Sequence, residues 1–447
     1  MQHSLKRRRW LVVGVAMAAL QTGCSAWRLA DVPDPSVIVD PSVVETEAGA
    51  IALYRNAIST FNSVFAGGNA FSGSGSFVAA SGTGSDEMYV RNTPFALRAV
   101  GYDGLPVGET AAGEEEPWYS MHRARLQIDQ SIGALKKYGK PTTPSSYLAQ
   151  LYALRGFNSV MFAELFCSGT PFSRAIYGGD IVFGQPLTTE QVLEQAIADF
   201  DSALAITTDS VRIRQMATIG KARALVNLNR ISDAATLVSG IPTAYRYDAQ
   251  FSQTSGQNYT VDGSLRMMDR LGVNGLDYLS AGQSGDFRVA TVMSSAFQPI
   301  AAKFGTGAAS IPLADGLEAR LIEAEAKLRA EDFDGWADIL NALRQSAGSQ
   351  TLHALSVDST SNADQQLRES VMFRERAFWL YGTGRRFGDM RRLVRQYKRS
   401  LYQVFPRGQH PHLPYDPNII SSKPSFAPPT TELNNNPNFK GCFNRDA

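Results

Sequence analysis

Residues 374–397 carry the densest pattern in this 447-residue chain. Apolar residues recur at helical spacing on both sides of two glycines, Gly382 and Gly384. The first apolar set is Phe373, Ala377, Leu380 and Tyr381, and the second is Phe387, Met390, Leu393 and Val394. Because glycine ends helices and permits tight turns, the pattern predicts a helix, a glycine turn and a second helix.

Charged side chains of both signs surround the predicted turn. Buried charges are costly unless they are paired, so a set of this size predicts mutual pairing. We therefore predict a cross-braced structural clamp, formed by Glu375, Arg376, Arg386, Asp389 and Arg391 and flanked by Arg374, Arg385 and Arg392. The alternative is a catalytic pair of carboxylates, Glu375 and Asp389.

The same stretch resembles the C-terminal signature of the SusD/RagB family, the surface lipoproteins of nutrient uptake. The matching positions are Glu375, Arg376, Phe378, Gly384, Arg386, Phe387, Asp389, Met390, Arg391 and Arg392. Trp379 and Thr383 stand where that family often carries glutamates. Weaker resemblances lie at Asp86-Glu87, at Asp286 with Arg288, at Lys303-Phe304 and at residues 434–439.

The composition is that of a globular protein with a large core. Hydrophobic residues make up 44% of the chain and charged residues 19%, and the net charge is +1. That charge leaves no basic surplus to neutralise phosphates, so we expect no nucleic-acid partner. The three cysteines are too few for a disulfide scaffold or a cysteine-rich zinc site.

The N-terminus has the pattern of an export signal. Lys6 and three arginines precede an apolar run, residues 10–20, that is too short to span a bilayer. A small residue then precedes Cys24, as in a bacterial lipoprotein processing site. We predict a signal peptide over residues 1–23, a lipid anchor on Cys24, a tether over residues 24–44 and a single SusD-like domain over residues 45–447. The alternative is an ordinary secretory signal with an incidental cysteine.

Helical periodicity dominates the body of the chain. It predicts helices over residues 45–66, 118–137, 147–167, 191–205, 216–228, 230–238, 317–330, 333–346 and 366–381. Pairs of about 34 residues with small residues at their crossings are typical of tetratricopeptide stacking. The small residues are Ala196, Ala203, Ala222 and Ala224. The fold is thus predicted to be mainly α: a tetratricopeptide-like α-solenoid with long irregular loops that face the ligand.

Two long irregular regions, residues 67–117 and 245–312, interrupt the helices. Long loops in a compact fold commonly bind something. Saccharides present apolar faces and hydroxyls, which aromatic side chains flanked by polar ones can bind. The ligand-binding candidates are Asp86, Tyr89, Arg91, Asn92, Tyr102, Tyr259 and Tyr278, and the alternative for each tyrosine is packing within its loop.

Two local pairings are also predicted. Asp286 and Arg288 lie two residues apart in a loop, a spacing that favours an ion pair fixing the shape of the loop over direct ligand contact. Cys167 and Cys442 lie outside the lipidated position and, after export, in a compartment where disulfides persist, so we predict that they pair.

Motifs for catalysis are sparse. Among the five histidines, His410 and His412 have ligand-like spacing, but neither cysteines nor an acidic cluster completes a zinc set. The sequence contains no nucleophile elbow, phosphate-binding Walker loop or HExxH motif. We expect no cofactor, no metal and no enzymatic activity; a glycan-processing enzyme is a minor alternative.

The resemblance implies a function in uptake. By that resemblance, the protein is a surface-exposed outer-membrane lipoprotein that captures an oligosaccharide or peptide. It would deliver this ligand to a SusC-like TonB-dependent transporter as a hinged lid. The alternative from a different class is a tetratricopeptide-type envelope adaptor that binds protein partners.

Overall fold

The computed structural model describes residues 45–68, 76–85, 87–90, 115–175, 181–206, 210–251, 258–259, 265–267, 286–289, 291–293, 299–301, 303–304, 309–346, 352–355, 365–405 and 424–446. The predicted signal peptide, Cys24 and the tether lie outside these residues. No helix within them is both long enough and apolar enough to cross a bilayer.

Helices form most of the described structure. The helices of the N-terminal half are α1 Glu47–Ala66, α2 Phe77–Gly84, α3 Glu115–Tyr138, α4 Ser145–Leu165, α5 Thr189–Ile206, α6 Val211–Asn227 and α7 Ile231–Val238. Those of the C-terminal half are α8 Gly316–Arg329, α9 Phe333–Gln345, α10 Gln365–Trp379, α11 Arg386–Arg395, α12 Leu401–Val404 and α13 Thr430–Asn435.

Side-chain caps set several helix starts. Thr46 accepts a hydrogen bond from the Gly49 amide at the start of α1, and Asp315 accepts one from the Glu318 amide at the start of α8. Helix α6 begins after Ser210, whose side chain accepts from the Ile213 amide. It therefore starts five residues before the predicted residue 216, because Val211, Arg212 and Arg214 of its first turn are exposed and only Ile213 there is buried.

Helices close in sequence pack against one another, with α4 packed against α3, α5 and α6. Helix α4 is buried on nearly all sides, and its Phe157 meets Phe200 of α5 edge to face with ring centroids 5.1 Å apart. The four alanines predicted at the crossings are all fully buried. The tetratricopeptide-like helical scaffold predicted from the sequence is confirmed.

The strands are short, and within the described residues each pairs antiparallel with one other. They are β1 Gly67–Gly68, β2 Met88–Val90, β3 Thr170–Pro171, β4 Arg174–Ala175, β5 Ile181–Val182, β6 Pro186–Leu187, β7 Arg246–Ala249, β8 Asn258–Tyr259, β9 Leu265–Met267, β10 Thr291–Met293, β11 Pro299–Ala301 and β12 Ile311–Asp315. A 3-10 turn spans Phe287–Val289. Strands β12 and β7 form the longest pair, with a register shift between Pro312 and Ala314.

The first irregular region is more ordered than predicted. Helix α2 lies within residues 67–117, capped by Ser76. Its second half, residues 81–84, alternates serine or threonine with glycine, which have low helix propensity. The helix is stabilised by burial, since Phe77, Val78 and Ala79 are completely buried. Tertiary contacts here override a weak local propensity.

The C-terminal tail lies across the end of α4. A disulfide joins Cys167 to Cys442, with their Cα atoms 5.9 Å apart. The Cys167 amide also donates to the Phe426 carbonyl at 2.9 Å, and the Ser168 amide donates to the Asn444 carbonyl at 3.0 Å. The tail is thus attached to the scaffold by both covalent and backbone bonds.

We expect the disulfide to form in the exported protein and to stabilise it. A version with Cys24→Ser, which leaves two cysteines, should show no free thiol before reduction and two after it. Adding Cys167→Ser should lower the free energy of unfolding by about 2–5 kcal/mol, because the long loop is no longer closed. Two free thiols in the unreduced protein would contradict the pairing.

Candidate ligand-binding site

The two long irregular regions meet in the folded chain. Strand β1 pairs with β8, with Gly67 opposite Tyr259, and strand β2 pairs with β9, with Tyr89 opposite Arg266. Strand β9 also contacts β11. Segments about 180 residues apart in sequence are therefore joined by backbone ladders, and we call strands β1, β2, β8 and β9 the loop face.

Two of the seven predicted ligand-binding residues lie on strands of the loop face. Tyr89 and Tyr259 lie on two of its strands, β2 and β8. Asp86, Arg91, Asn92, Tyr102 and Tyr278 lie outside the described residues. Each ladder thus carries one tyrosine, Tyr259 in β1–β8 and Tyr89 in β2–β9.

The first irregular region is anchored to the glycine turn between α10 and α11. The Ser81 hydroxyl donates to the Gly384 carbonyl at 2.8 Å and accepts from the Phe387 amide at 3.3 Å. The buried Glu87 carboxylate accepts from the Gly382 amide at 3.4 Å. Gly384 has a φ of +81°, and a Cβ there would lie 2.7 Å from the Phe77 ring. The turn therefore needs glycine both for its backbone and for the close approach of α2.

The second irregular region is anchored through Arg288, which is buried. Its guanidinium donates to Asp286 at 2.6 Å, as predicted, and also to Glu375 of α10 at 2.6 Å. Glu375 accepts a further bond from Arg344 of α9 at 2.5 Å. The Arg288 guanidinium lies 4.9 Å from the centroid of the Trp379 ring. The aromatic face of Trp379 therefore stabilises the Arg288 cation that links the loop to the clamp.

The predicted clamp residues on α11 bind a separate set of partners. Asp389 accepts from Arg376 at 2.9 Å and from Arg392 at 3.0 Å. Arg392 also binds the fully buried Glu325 of α8. Burial by itself would lower the pKa of Arg376, but the carboxylates of Asp389 and Glu325 outweigh it and raise that pKa. Arg376 is therefore charged in the core.

Arg386 and Arg391, which both belong to α11, are buried. Arg391 donates from Nη1 to three carbonyls at the end of α4, those of Ala163, Glu164 and Phe166, at 2.7 to 3.0 Å. These carbonyls belong to the last turn of α4, where backbone acceptors lack helical partners. Arg391 thus caps one helix of the scaffold from another.

The chemistry available at the clamp is charge pairing. Both oxygens of Glu375 accept from arginines, and so do both oxygens of Asp389, each from a different pair of arginines. A general base needs an oxygen that can reach a substrate proton. The contacts support the structural interpretation of these two carboxylates over the catalytic one.

A further buried ion pair connects the scaffold to this region. Arg223 of α6 donates to both oxygens of Glu318 of α8, at 2.6 and 2.5 Å. Although burial alone would raise the pKa of Glu318, Arg223 and Arg385 lower it to about 2. Within the described residues, no group of three histidine, cysteine or acidic side chains could hold a metal; His410 and His412 lie outside them.

The sequence did not reveal the long-range partners. Arg288 meets Glu375 across 87 residues, and Ser81 meets Gly384 across 303. Neither Ser81 nor Arg344 lies in a recognisable motif. The excess of arginines around the turn, six against two carboxylates, was the available signal that partners must come from elsewhere.

Comparison with known proteins gives a match in the C-terminal region. Residues 317–440 match the sequence model of the SusD family. No curated protein matches the chain.

Solved structures match over most of its length. A SusD-like carbohydrate-binding protein of Bacteroides vulgatus is 16% identical, with a TM-score of 0.52, over 77% of this chain and 83% of that one. A SusD-like protein of Bacteroides fragilis is 11% identical, with a TM-score of 0.62, over 91% and 98% of the two chains. Surface glycan-binding protein A of Bacteroides uniformis is 14% identical, with a TM-score of 0.59, over 89% and 99%.

Removing a clamp carboxylate should destabilise the whole domain. We expect Asp389→Asn and Glu375→Gln each to lower the free energy of unfolding by roughly 3–5 kcal/mol, because buried arginines lose their counter-charge. The matched control is Asp201→Asn, which removes a half-exposed pair with Lys221 and should cost at most about 1 kcal/mol. Urea unfolding measures both. Equal stability of Asp389→Asn and the native protein would contradict the structural role and favour the catalytic alternative.

Proposed function

Since the chain belongs to the SusD/RagB family, by its match over residues 317–440 and by its fold, we propose that it binds a saccharide nutrient on the loop face. The observation that carries this proposal is the joining of the two irregular regions by the β1–β8 and β2–β9 ladders. A binding surface made by loops on a rigid scaffold is the usual location of a ligand site.

The residue types of these regions suit a saccharide. Tyrosine rings can cover the apolar faces of sugar rings, and neighbouring carboxylate, amide and guanidinium groups can bond the hydroxyls. Tyr89 and Tyr259 are the first candidates because each belongs to a strand of the loop face. Asp86, Arg91, Asn92, Tyr102 and Tyr278 belong to the same two regions of the sequence and complete the candidate set.

The anchoring of the loops suits binding rather than chemistry. The first irregular region is held at the glycine turn by buried bonds from Ser81 and Glu87, and the second is held to α10 by a buried bond from Arg288 to Glu375. A site supported by a rigid base loses less conformational entropy when a ligand binds. We propose that the saccharide is captured intact and released intact.

Delivery is the second part of the proposal. A lipid on Cys24 would hold the protein at the outer membrane, since acyl chains anchor an otherwise soluble body. Family membership supports a SusC-like TonB-dependent barrel as the partner that receives the saccharide, with this protein acting as its hinged lid.

Removing the loop-face tyrosines should weaken saccharide binding without unfolding the protein. The native chain is screened by thermal melting against neutral and acidic oligosaccharides, and a ligand that binds the folded state raises the melting temperature. We expect Tyr89→Ala and Tyr259→Ala each to reduce the affinity for such a ligand about tenfold, through lost stacking. The matched control is Tyr402→Ala, which removes an exposed tyrosine of α12 and should leave the affinity unchanged. Equal affinities in all three variants would exclude the loop face.

The partner is tested on the lipidated protein in its own membranes. An affinity purification in mild detergent should recover a large TonB-dependent barrel in near-equal amount. Cys24→Ser, which removes the anchor, should release the protein from the membrane and lower the yield of the barrel. Soluble envelope proteins in place of a barrel would contradict delivery and favour the adaptor function.

A further inference from the structure

A cleft of about 770 Å³ lies on the helical scaffold, between helices α3, α4 and α5 and the strands β3 to β6. Its described lining residues include none from the strands of the loop face. The volume falls in the range of small-molecule binding sites. We call it the side cleft; its polar lining includes Arg125, Asp129, Arg155, Arg174 and Asp199.

A ladder of charges crosses the floor of the side cleft. Arg155 of α4 donates to Asp129 of α3 at 2.7 Å and to both oxygens of Asp199 of α5, at 3.0 and 2.6 Å. Arg125 lies next to it, with Nη1 3.8 Å from Asp129. The side chains of Arg155 and Asp129 are 26% and 31% exposed, so the ladder can be reached from solvent.

The charges of the cleft do not cancel. Three arginines face two aspartates, which leaves one positive charge (three minus two). Both aspartates already bind Arg155, whereas Arg174 is exposed and lies within ion-pair distance of no carboxylate in the described part of the chain. Burial, and then the neighbouring charges of Arg174 and Arg155, lower the pKa of Arg125, against the opposing effect of Asp129. An added anion would therefore relieve repulsion between guanidinium groups.

The opposite wall is aromatic and held in place. The Phe172 ring lies 5.1 Å from the Phe162 ring and 5.8 Å from the His122 ring, centroid to centroid. The Arg125 guanidinium lies 5.5 Å from the centroid of the Phe172 ring. Phe172 and Phe183 are half-buried and line the cleft. An apolar sugar face could pack here at little cost in side-chain entropy.

The wall is also held from its outer side. The side-chain amide of Asn436 donates to the Gly184 carbonyl at 3.3 Å, and the side-chain amide of Asn438 donates to the Phe183 carbonyl at 3.1 Å. Both asparagines precede Cys442, which is bonded to Cys167. The tail therefore supports the strand segments that line one side of the cleft. Arg125 joins the helical side to them by donating to the Ser173 carbonyl.

We propose that the side cleft is a second saccharide site, specific for a sugar that carries a carboxylate, as a hexuronate does. The carboxylate binds on the Arg174 side, and the ring packs against Phe172 and Phe183. This inference rests on the proposed function in taking the ligand to be a saccharide, but it does not depend on the loop face.

The test uses tetragalacturonate and its fully methyl-esterified form, which has the same ring skeleton without charge. Calorimetric titration of the full-length protein in detergent should show binding of the acid at least about tenfold tighter than binding of the ester. A charge-assisted hydrogen bond is worth enough free energy for this ratio. The difference should shrink as salt is raised, because Arg174 is exposed.

Two pairs of variants locate the binding. Ala198→Trp adds a large side chain to the cleft from α5 and should abolish binding of the acid, whereas Ala205→Trp, on an exposed position of α5 outside the lining, should not. Arg174→Gln should weaken binding about tenfold, whereas Arg123→Gln, an exposed arginine of α3 outside the lining, should not. None of these changes removes a bond of the ladder.

Three results would overturn the inference: no binding of tetragalacturonate by the native protein, equal binding of acid and ester, or unchanged binding by Ala198→Trp. The proposed function is judged separately. Loss of acid binding in Tyr89→Ala and Tyr259→Ala, with Ala198→Trp unaffected, would assign the acid to the loop face and exclude the side cleft. Co-purification of the TonB-dependent barrel with the Ala198→Trp variant would support the proposed delivery function, whatever the binding measurements show for the side cleft.

Discussion

The pairing of buried arginines with buried carboxylates at the turn between α10 and α11 is the interaction on which the rest of the structure depends. Removing a charge from water costs several kcal/mol, which is recovered only when partners of opposite charge are well placed. Asp389 and Glu375 supply those partners from two sides of the turn. Since their arginines come from α9, α10, α11 and the 3-10 turn at Phe287–Val289, the charges can be satisfied only when these segments are assembled together.

This requirement explains why scaffold and loops are not independent. Arg391 connects the turn to the last carbonyls of α4, and Arg392 connects it to Glu325 on α8. Ser81 and Arg288 connect it to the two irregular regions. The glycine turn is therefore the point at which the helical array and the base of the loop face share a buried boundary.

The sequence predicted the helical scaffold well because its helices bury one regular face, and the predicted small residues at the crossings are buried. It missed the start of α6, where the first turn is largely exposed. It also missed α2, where burial against Gly384 and Phe387 replaces propensity. The pairing of Asp286 with Arg288 was predictable because it is local. The bonds from Arg288 to Glu375 and from Ser81 to Gly384 were not, since they join segments whose proximity is a property of the fold.

The same distinction separates structural arginines from arginines that can serve a ligand. At the clamp, Arg288, Arg376 and Arg392 bind carboxylates, and Arg391 binds three backbone carbonyls. In the side cleft, two aspartates must serve Arg155 as well as Arg125, and Arg174 stays exposed at the rim. The residue type is the same in the two places, so it does not distinguish them. The balance of charge does, because a cation that the fold leaves uncompensated at an open surface can gain stability from a bound anion.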